Sequence, residues 1–254
     1  MLPMERQKKI SDILSENGIV QVAVLAERFG VSELTIRRDL DQMEEARLLR
    51  RTHGGATILR NMSAEPHYLQ KASVFAEEKR RIAEKAAELV QDDDIVMVNS
   101  GTTTSAVLKA LLDSGKSLTI ITNNIDVFSH QDVNGKCTIM LTGGVYRSRS
   151  RSLSGSLSTR NLDGVFANKA FIGVDGISEQ AGFTTPIYEE SVVSAMMLSR
   201  TSGKSYVVAT HNKIGVTSNY RIGTLDEVSG IITDAEGAEY FRTDSSFKAE
   251  IIEA

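Results

Sequence analysis

The sequence predicts a small helical domain that carries a β-hairpin, followed by a larger α/β domain. The first sixty residues contain three short amphipathic segments and then a Gly-Gly hairpin motif, whereas the remainder alternates short apolar runs with helical segments. A length of 254 residues suits two unequal domains. We therefore expect the first domain to span residues 1–60, a linker to span 61–75, and the second domain to span 76–254.

The composition, with 41% hydrophobic and 24% charged residues, is typical of a globular protein. No run of about 18 apolar residues occurs, and the start, "MLPMERQKK", leads directly into charged residues without a signal-peptide stretch. Cys137 stands alone and cannot form an internal disulfide, and the four histidines lack metal-ligand spacing. These observations predict a cytoplasmic protein with no membrane contact, no structural metal and no cofactor.

Charge is unevenly distributed along the chain. The formal net charge is −4, yet the stretch from Ala46 to Ala64 contains four arginines and no acidic residue. A basic strip on a mildly acidic protein is typical of a surface that meets an anionic polymer. We therefore expect the first domain to bind nucleic acid.

Helical periodicity organises the first 45 residues. "MERQKKISDILSENG" repeats apolar residues on one face from Ile10 onward, and "VQVAVLAERFG" forms a second helix that Gly30 would end in the left-handed conformation. A third helix opens at Ser32, whose hydroxyl can accept a hydrogen bond from the backbone N–H of Thr35. Three short helices with a tight glycine turn before the third predict a helix-turn-helix.

The third helix has an apolar face, which would pack on the first two helices, and a polar face near its start. The residues that the second face displays are Leu34, Thr35, Arg38 and Gln42. Such residues of a recognition helix reach base edges in the major groove, where arginine can bond guanine at two points. The alternative is that Arg37 and Arg38 are solvated surface charges. Asp39 is expected to pair with an arginine of its own domain.

A β-hairpin follows the third helix. "ARLLRRTHGGATIL" places two short β-like runs around His53, Gly54 and Gly55, and glycine accepts the positive φ of tight hairpin turns. This hairpin is interpreted as the wing of a winged helix-turn-helix. Arg50, Arg51 and His53 would lie against the phosphate backbone or in the minor groove and add affinity with little sequence choice.

The second domain alternates strand and helix patterns, which predicts a largely parallel sheet covered by helices. Ligands of such sheets bind at the C-terminal ends of the strands, where the loops lie. Small polar or charged residues recur in the loops Ser100–Thr104, Thr122–Asn124, Thr142–Gly144, Asp175–Gly176 and His211–Gly215. With Lys169 and Lys213 as phosphate partners, these loops predict a shared anion-binding pocket.

Together these motifs resemble the DeoR family of bacterial transcriptional regulators. The stretch "VSELTIRRDLDQMEEARLLRRTHGGA" looks like the DNA-binding signature of the family, and "GTTT", "TNN", "LTGG", "KAFIGVDGI", "GFTTP", "EE" and "KIG" look like its effector domain. The resemblance covers nearly the whole chain. It implies a winged helix-turn-helix ahead of a sugar-phosphate-sensing domain that is similar in fold to ribose-5-phosphate isomerase, with Arg37 and Arg38 in the operator-contacting helix.

Pattern and resemblance together give two sets of candidate site residues. The candidate DNA-binding residues are Ser32, Leu34, Thr35, Arg37, Arg38, Gln42, Arg50, Arg51 and His53. The candidate effector-binding residues are Ser100, Gly101, Thr102, Thr103, Thr104, Asn123, Gly143, Gly144, Lys169, Asp175, Gly176, Glu189 and Lys213. In the second set, the resemblance implies that residues 100–104 cradle the phosphate and that Lys169, Asp175, Glu189 and Lys213 face the sugar.

Three local features qualify the resemblance. Many relatives have an acid where this chain has Asn99, and an aspartate where it has Thr210, so the polar end of the pocket is expected to differ. The Arg-Ser segment Tyr146–Ser156 is expected to form a mobile loop at the pocket rim. Its alternative role is a second DNA-binding segment.

These features favour a DNA-binding repressor of a carbohydrate-metabolism operon, which a phosphorylated sugar or sugar derivative releases from double-stranded operator DNA. A homo-oligomer, either a dimer or a tetramer, is expected because one winged helix covers one half-site. The alternative is a sugar-phosphate isomerase or deaminase with an accessory DNA-binding domain, in which Asp175, Glu189 and Glu190 are candidate acids. Asn99 and Thr210, where chemistry would need carboxylates, argue against catalysis. Activation in place of repression stays open.

Overall fold

Two units divide the part of the chain that this computed structural model describes, which comprises residues 3–17, 19–45, 48–52, 54–58, 68–130, 135–243 and 249–254. The first unit is Met1–Ala64 and the second is Glu65–Ala254. The first contains one buried apolar core and the second contains two. The predicted fold class, a winged helix-turn-helix domain followed by a larger α/β domain, is confirmed.

The first unit is a helix-turn-helix with a three-stranded antiparallel wing. Its elements are α1 (Pro3–Asn17), β1 (Ile19–Gln21), α2 (Val22–Phe29), α3 (Glu33–Glu45), β2 (Leu49–Thr52) and β3 (Gly55–Ile58). β3 lies between β1 and β2, so that Thr57 is opposite both Ile19 and Arg50. The sequence pattern does not reveal β1, because three residues are too few for an alternating pattern to be recognised.

The turn between α2 and α3 has the predicted geometry. Gly30 is left-handed, with φ 64° and ψ 38°, a conformation that glycine adopts without steric cost. The hydroxyl of Ser32 accepts a hydrogen bond from the backbone N–H of Thr35 at 3.2 Å. Ser32 therefore caps the start of α3, as its position in the sequence predicts.

A buried ion pair joins α1 to α3. The guanidinium of Arg6 donates through Nη2 to Asp39 Oδ1 at 3.1 Å and through Nε to Asp39 Oδ2. Arg6 is 5% exposed and Asp39 is 4% exposed. The prediction that Asp39 pairs with an arginine of its own domain is confirmed. Because a buried charge is tolerated only when it is neutralised and hydrogen-bonded, this pair fixes α3 against α1.

A seven-stranded sheet forms the centre of the second unit, whose helices and strands follow in chain order. They are α4 (Tyr68–Ser73), α5 (Ala76–Glu88), β4 (Ile95–Val98), α6 (Thr102–Asp113), β5 (Thr119–Thr122), β6 (Thr138–Leu141), β7 (Val145–Arg147), β8 (Ser152–Ser154), α7 (Ser156–Leu162), β9 (Ala167–Gly173), β10 (Gly176–Ser178), β11 (Gly182–Thr185), α8 (Tyr188–Ser199), β12 (Thr201–Val208), β13 (Tyr220–Gly223), β14 (Gly230–Thr233), α9 (Ala235–Thr243) and β15 (Glu250–Glu253). The sheet is parallel throughout, in the order β15-β14-β12-β9-β4-β5-β6.

Alternate residues of the central strands enter different cores on the two faces of this sheet. In β4, Val96 and Val98 belong to the core that α5 and α6 cover, whereas Met97 belongs to the core that α8 covers. Both faces of the sheet are therefore packed against helices, as a parallel sheet requires. The predicted parallel sheet with helical layers is confirmed.

Two segments differ from the sequence-based prediction. Tyr68–Ser73, inside the predicted linker 61–75, forms the helix α4, and six residues are too few to show helical periodicity. The Arg-Ser segment Tyr146–Ser156 contains a β-hairpin of β7 and β8, with Arg147 opposite Ser152, where a loop was expected. A third, antiparallel sheet in the order β10-β11-β13 also lies outside the prediction.

We predict that Asp39→Ala costs about 3 to 5 kcal/mol of stability, because it leaves the charge of Arg6 buried without a partner. A domain of this size has only a few kcal/mol to lose, so the first unit should unfold. Limited proteolysis and urea unfolding measure the effect. Glu33→Ala is the matched control, since it breaks only an exposed pair with Arg37 and should cost less than about 1 kcal/mol. Equal unfolding midpoints for the two variants would contradict the role of the buried pair.

Candidate nucleic-acid interface and ligand pocket

The outward face of α3 displays several of the candidate DNA-binding side chains. Leu34 is 60% exposed. Arg38 is exposed and has no hydrogen-bond or ion-pair partner among the residues that the structure describes. Arg37 differs, because it pairs at 3.2 Å with a glutamate one turn earlier on the same helix. The carboxamide of Gln42 accepts a hydrogen bond from Gln7 of α1 at 2.9 Å. Arg38 is therefore the cation on this face that is available for a ligand.

The wing offers less free charge than its sequence suggests. The guanidinium of Arg51 lies 3.1 Å from Asp41 of α3, and only 20% of the Arg51 side chain is exposed. Its backbone N–H donates to Glu44 at 2.7 Å. Through these contacts Arg51 braces the wing against α3, and its contact with a DNA phosphate stays a prediction. The side chain of Arg50 and all of His53 lie outside the described residues.

The second unit has a pocket at the C-terminal edge of its parallel sheet, where β4 and β9 end. One wall is the loop that leads from β4 into α6, formed by Asn99, Ser100, Gly101, Thr102 and Thr103. Gly101 has φ 153° and ψ 164° at the start of α6, where a Cβ atom would meet the Thr104 hydroxyl at 3.2 Å. The first backbone N–H groups of a helix have no partner within it, so this wall presents partial positive charge.

Cations and carboxylates from five other segments contribute to the rest of the pocket wall. The residues on this side are Tyr68, Lys71, Arg149, Ser150, Gly173, Val174, Asp175, Thr185, Glu190, Ser194, Lys213 and Ile222. The empty space within this lining is about 660 Å³, a figure that includes the open solvent at the mouth. The pocket therefore brings three positively charged side chains, Lys71, Arg149 and Lys213, to the start of α6.

Asp175 lies between two of the lysines. Its Oδ1 atom is 2.8 Å from Lys71 Nζ and 3.4 Å from Lys213 Nζ. The Thr185 hydroxyl donates to its Oδ2 atom at 3.4 Å. One carboxylate thus pairs with two ammonium groups, so that positive charge is in excess at this end of the pocket. Asp175 and Lys213 were predicted to meet at one site, and the structure brings them together.

Glu190 provides the second carboxylate. Its Oε1 atom accepts from Arg147 Nη1 at 3.1 Å and from the Ser152 hydroxyl at 2.9 Å. Both donors belong to the β7–β8 hairpin, so Glu190 ties α8 to that hairpin. Glu189, the glutamate predicted to face the sugar, is exposed and is not among the described residues that line the pocket.

The amide of Asn99 joins the ends of β4 and β9. Its Oδ1 atom accepts from Gly173 N at 2.8 Å, and its Nδ2 donates to Gly173 O at 2.9 Å and to the Ser194 hydroxyl at 2.9 Å. An aspartate could not donate to that carbonyl. At the second departure, Thr210 is buried and donates to Asn212 at 2.7 Å. Asn99 and Thr210, the two positions at which this chain differs from many relatives, therefore both make local hydrogen bonds.

Lys169 is the clearest correction among the candidate effector-binding residues. It lies near the start of β9, and its Nζ is 2.6 Å from Asp94, which precedes β4. Because the strands are parallel, both residues are at the N-terminal edge of the sheet, opposite the pocket. The predicted role of Lys169 came from the family resemblance, and its place near the start of β9, away from the loops that follow the strands, contradicts that role.

Several small residues of the predicted set support the pocket from behind. Thr104 is fully buried and donates to Gly101 O at 3.0 Å, and Asn123 donates to Leu153 O at 3.0 Å. Three glycines allow close packing: Gly143 O accepts from Ser158 of α7, and a Cβ atom on Gly144 or Gly176 would meet a backbone oxygen within 2.5 Å. These five residues do not line the pocket among the described residues.

Sequence reasoning missed the residues that reach the pocket from distant segments. Tyr68 and Lys71 come from the predicted linker and Ser194 from α8, whereas Arg149 and Ser150 lie in the Arg-Ser segment that was expected at the pocket rim. Tyr68 and Lys71 are three positions apart, which puts both on one face of a helix, and this spacing was the signal available in the sequence. The spacing was not specific, because a helix of six residues is too short to show apolar periodicity.

A histidine holds the turn that carries Lys213. His211 Nδ1 lies 2.9 Å from Asp234, its backbone N–H donates to the same carboxylate, and its ring packs edge-on against Phe75. Burial lowers the pKa of His211, but the hydrogen bond and charge of Asp234, with the charges of Glu236 and Glu78, outweigh it and raise the pKa above its ordinary value. The charged form of His211 is therefore favoured.

The described ranges contain no group of three or more His, Cys, Asp or Glu side chains placed to bind a metal ion. Within the same ranges, no helix has both the length and the apolar character needed to cross a membrane.

An exposed recognition helix in one unit and a pocket lined by cations in the other are typical of a ligand-responsive DNA-binding regulator. Residues 6–61 match the family model described as the DeoR-like helix-turn-helix domain. Residues 74–235 match the one described as the DeoR C terminal sensor domain. The chain belongs to the DeoR family of transcriptional regulators.

Named relatives agree with this membership. The uncharacterized HTH-type transcriptional regulator FruR of Bacillus subtilis is 33% identical over 93% of each chain. The glycerol-3-phosphate regulon repressor of Escherichia coli is 32% identical over 92% of each chain. The solved structure of ribose 5-phosphate isomerase A from Methanocaldococcus jannaschii shares 13% identity over 55% of each chain with a TM-score of 0.40, a likeness too distant to bear on function.

We predict that His211 contributes a decrease in the free energy of unfolding as the pH rises from about 6 to 8. A histidine with a raised pKa stabilises the folded state below its unfolded pKa of about 6.5, and this contribution is lost as the pH rises through the folded pKa. His211→Gln should remove that part of the pH dependence. Denaturant unfolding of both proteins across this range measures the difference between their free energies of unfolding. Burial lowers the pKa of His130, which has the opposite effect on stability, but His130 is present in both proteins and its effect cancels in the difference. Parallel profiles for the two proteins would rule out the His211–Asp234 pair as the cause.

Proposed function

We propose that this protein represses a carbohydrate-metabolism operon and leaves its operator when a phosphorylated sugar or sugar derivative fills the pocket of the second unit. The observation that carries the proposal is the start of α6, which opens into a pocket that also holds Lys71, Arg149 and Lys213. A helix N-terminus and cations together favour a phosphate. The printed name of the Escherichia coli relative, a glycerol-3-phosphate regulon repressor, supports the same class of ligand.

The proposed ligand pose follows from the two ends of the pocket. The phosphate would lie at the start of α6, with the hydroxyls of Ser100, Thr102 and Thr103 around it. The sugar hydroxyls would reach Asp175 and Glu190, because ionised carboxylates accept hydrogen bonds from hydroxyl groups. In this pose the candidate residues Ser100–Thr103, Asp175 and Lys213 keep their proposed roles, and Glu190 replaces Glu189.

The site is poorly equipped for the alternative, an isomerase or deaminase. A general base needs a carboxylate or imidazole within reach of the substrate and free to take a proton. Asp175 is held by two lysines and Glu190 by an arginine and a serine. The amide of Asn99 is committed to Gly173 and Ser194. We therefore propose a binding role for the pocket.

Operator binding is proposed to require a homo-oligomer, a dimer or a tetramer, on double-stranded DNA. One recognition helix covers a single half-site, and pairing two of them adds affinity and spacing selectivity. If filling the pocket lowers operator affinity by a factor of 100, the two sites must be coupled by about 2.7 kcal/mol. A few hydrogen bonds to charged groups are enough to supply that energy.

The proposed function is tested by gel shift on the promoter region of the protein's own gene. The protein is titrated with ribose 5-phosphate, fructose 6-phosphate, glucose 6-phosphate and glycerol 3-phosphate, and with sulfate at matched ionic strength. Release by at least one organic phosphate, and not by sulfate, is the expected result. Binding that no compound weakens would overturn the proposal, and turnover of a compound well above background would favour the isomerase.

We predict that Lys213→Gln raises the concentration of organic phosphate needed for half-maximal release by tenfold or more, because a charge-assisted contact of about 1.5 to 3 kcal/mol is lost. Lys204→Gln is the matched control. Lys204 is exposed on β12, opposite Lys169 at the far end of the sheet, so its loss should leave release unchanged. Equal shifts in both variants would point to a general charge effect and away from the pocket.

We predict that Arg38→Ala weakens operator binding by about 1 to 3 kcal/mol if its guanidinium reads a base. Binding to random DNA should change much less, because the loss concerns sequence recognition. Arg37→Ala, which removes a cation already paired with Glu33, should have the smaller effect. Fluorescence anisotropy with operator and random duplexes at one fixed salt concentration measures all three proteins. An unchanged operator affinity would indicate that Arg38 is a solvated surface charge.

A further inference from the structure

A buried carboxylate behind the pocket joins several of its walls. Asp126, 8% exposed, lies in the 3-10 turn Ile125–Ser129 that follows β5. Its Oδ2 atom accepts hydrogen bonds from the hydroxyls of Tyr68, at 2.7 Å, and Ser105. Its Oδ1 atom accepts from the Ser129 hydroxyl at 3.1 Å and lies 3.0 Å from Arg151 Nη2. Four donors therefore converge on one carboxyl group, which we call the Asp126 junction.

Three of the four donors of the Asp126 junction, Tyr68, Ser105 and Arg151, come from segments that also form the pocket wall. Ser105 is in the first turn of α6, two residues after Thr103, and Arg151 follows Arg149 and Ser150 in the hairpin turn. Tyr68 itself begins α4 and lines the pocket. A ligand at the start of α6 or against the hairpin turn would thus contact segments that the Asp126 junction holds together.

The protonation states suit a permanent junction. Burial would raise the pKa of Asp126, but the hydrogen bonds of Ser105 and Tyr68 and the charge of Arg151 outweigh it and lower that pKa. Burial, with the neighbouring carboxylate, raises the pKa of Tyr68. Asp126 is therefore an ionised acceptor and Tyr68 a protonated donor near neutral pH. Hydrogen bonds to a buried charge are among the stronger contacts in proteins.

Helix α4 depends on the pocket for its position. Tyr68 is bound at its hydroxyl by the Asp126 junction, at its backbone N–H by Arg149 O at 3.0 Å, and at its ring by Arg151, whose guanidinium carbon is 5.6 Å from the ring centre. One turn later, Lys71 reaches Asp175 inside the pocket. At the end of the helix, Lys79 Nζ donates to Val74 O at 2.7 Å.

α4 is also the first described element of the second unit, and the chain before it leads to the DNA-binding unit. An element that is bound to pocket segments on one side and is continuous with the DNA-binding unit on the other can carry a signal between them. Resting on the proposed function, we propose that Tyr68 is the positioning residue through which pocket occupancy, sensed at the Asp126 junction, moves α4 and changes operator affinity.

The test compares two variants that each remove one hydroxyl donor from the same carboxylate. Tyr68→Phe removes the donor on α4 and keeps the aromatic ring beneath Arg151. Ser129→Ala removes a donor that belongs to neither α4 nor the pocket wall. For each full-length protein, operator affinity is measured by anisotropy without and with a saturating amount of the panel phosphate that releases the wild-type protein best. Saturation removes any effect of the variants on ligand affinity itself.

We expect the ratio of the two operator affinities to be reduced tenfold or more in Tyr68→Phe and to change less than threefold in Ser129→Ala. Thermal unfolding midpoints check that both variants fold. Hydrogen exchange adds a direct readout: the same phosphate should alter protection of the α4 amides in the wild-type protein and not in Tyr68→Phe. If Tyr68→Phe failed to fold, the same exchange measurement on Asp126→Asn would decide, with the α4 response expected to be lost.

The outcomes separate this inference from the proposed function. A wild-type protein that responds, beside a Tyr68→Phe protein that responds equally, would overturn the role of Tyr68 and leave the proposed function intact. An equal loss in Ser129→Ala would also overturn it, since the effect would then arise from the carboxylate alone. A wild-type protein that no phosphate releases would overturn the proposed function and this inference with it.

Discussion

The pocket depends on one amide, that of Asn99, which holds the ends of β4 and β9 in register. Asn99 bonds both polar groups of the Gly173 backbone, a pairing that only a side chain with a donor and an acceptor can make. The chain runs from Asn99 into the cradle at the start of α6, and from Gly173 to Asp175. A shift of either strand end would separate the helix N-terminus from the lysine-bound carboxylate. The positions of anion-binding and hydroxyl-binding groups are thus set by backbone hydrogen bonding before any ligand enters.

The charged groups of the pocket are likewise arranged in advance. Each carboxylate is neutralised by cations from another element, which compensates for the desolvation that a closed site imposes on it. Asp175 draws together Lys71 of α4 and Lys213 of the turn before β13, and Glu190 draws α8 to the hairpin through Arg147. These ion pairs join segments that are distant in sequence. A ligand phosphate would enter this network as an additional anion and redistribute its contacts, which is a physical basis for a response.

Local signals in the sequence were sufficient for much of the fold. Helical periodicity, the left-handed Gly30 and the Ser32 cap define the DNA-binding unit, and they act over a few residues. The strand ends that carry Ser100–Thr103 and Asp175 were found because parallel strands present their loops on one edge. The sequence could not show which of two adjacent glutamates faces inward, since this depends on the rotation of α8 against the hairpin. The position of Lys169 is fixed by a pair with Asp94, which lies 75 residues away in the sequence, so no local pattern could indicate that pair.

The short helix α4 shows why part of the pocket could not be predicted from the sequence. Its six residues carry no apolar period, and its structure is held by contacts with Asp126, Arg149 and Asp175 that span 58 to 104 residues of sequence. A helix this short is unstable by itself, because nucleation costs more than one turn returns. Its geometry must therefore be supplied by the pocket. An element whose own stability is small and whose position is set by a binding site can respond to that site at low energetic cost, and for this reason a coupling of a few kcal/mol between ligand and operator is within its reach.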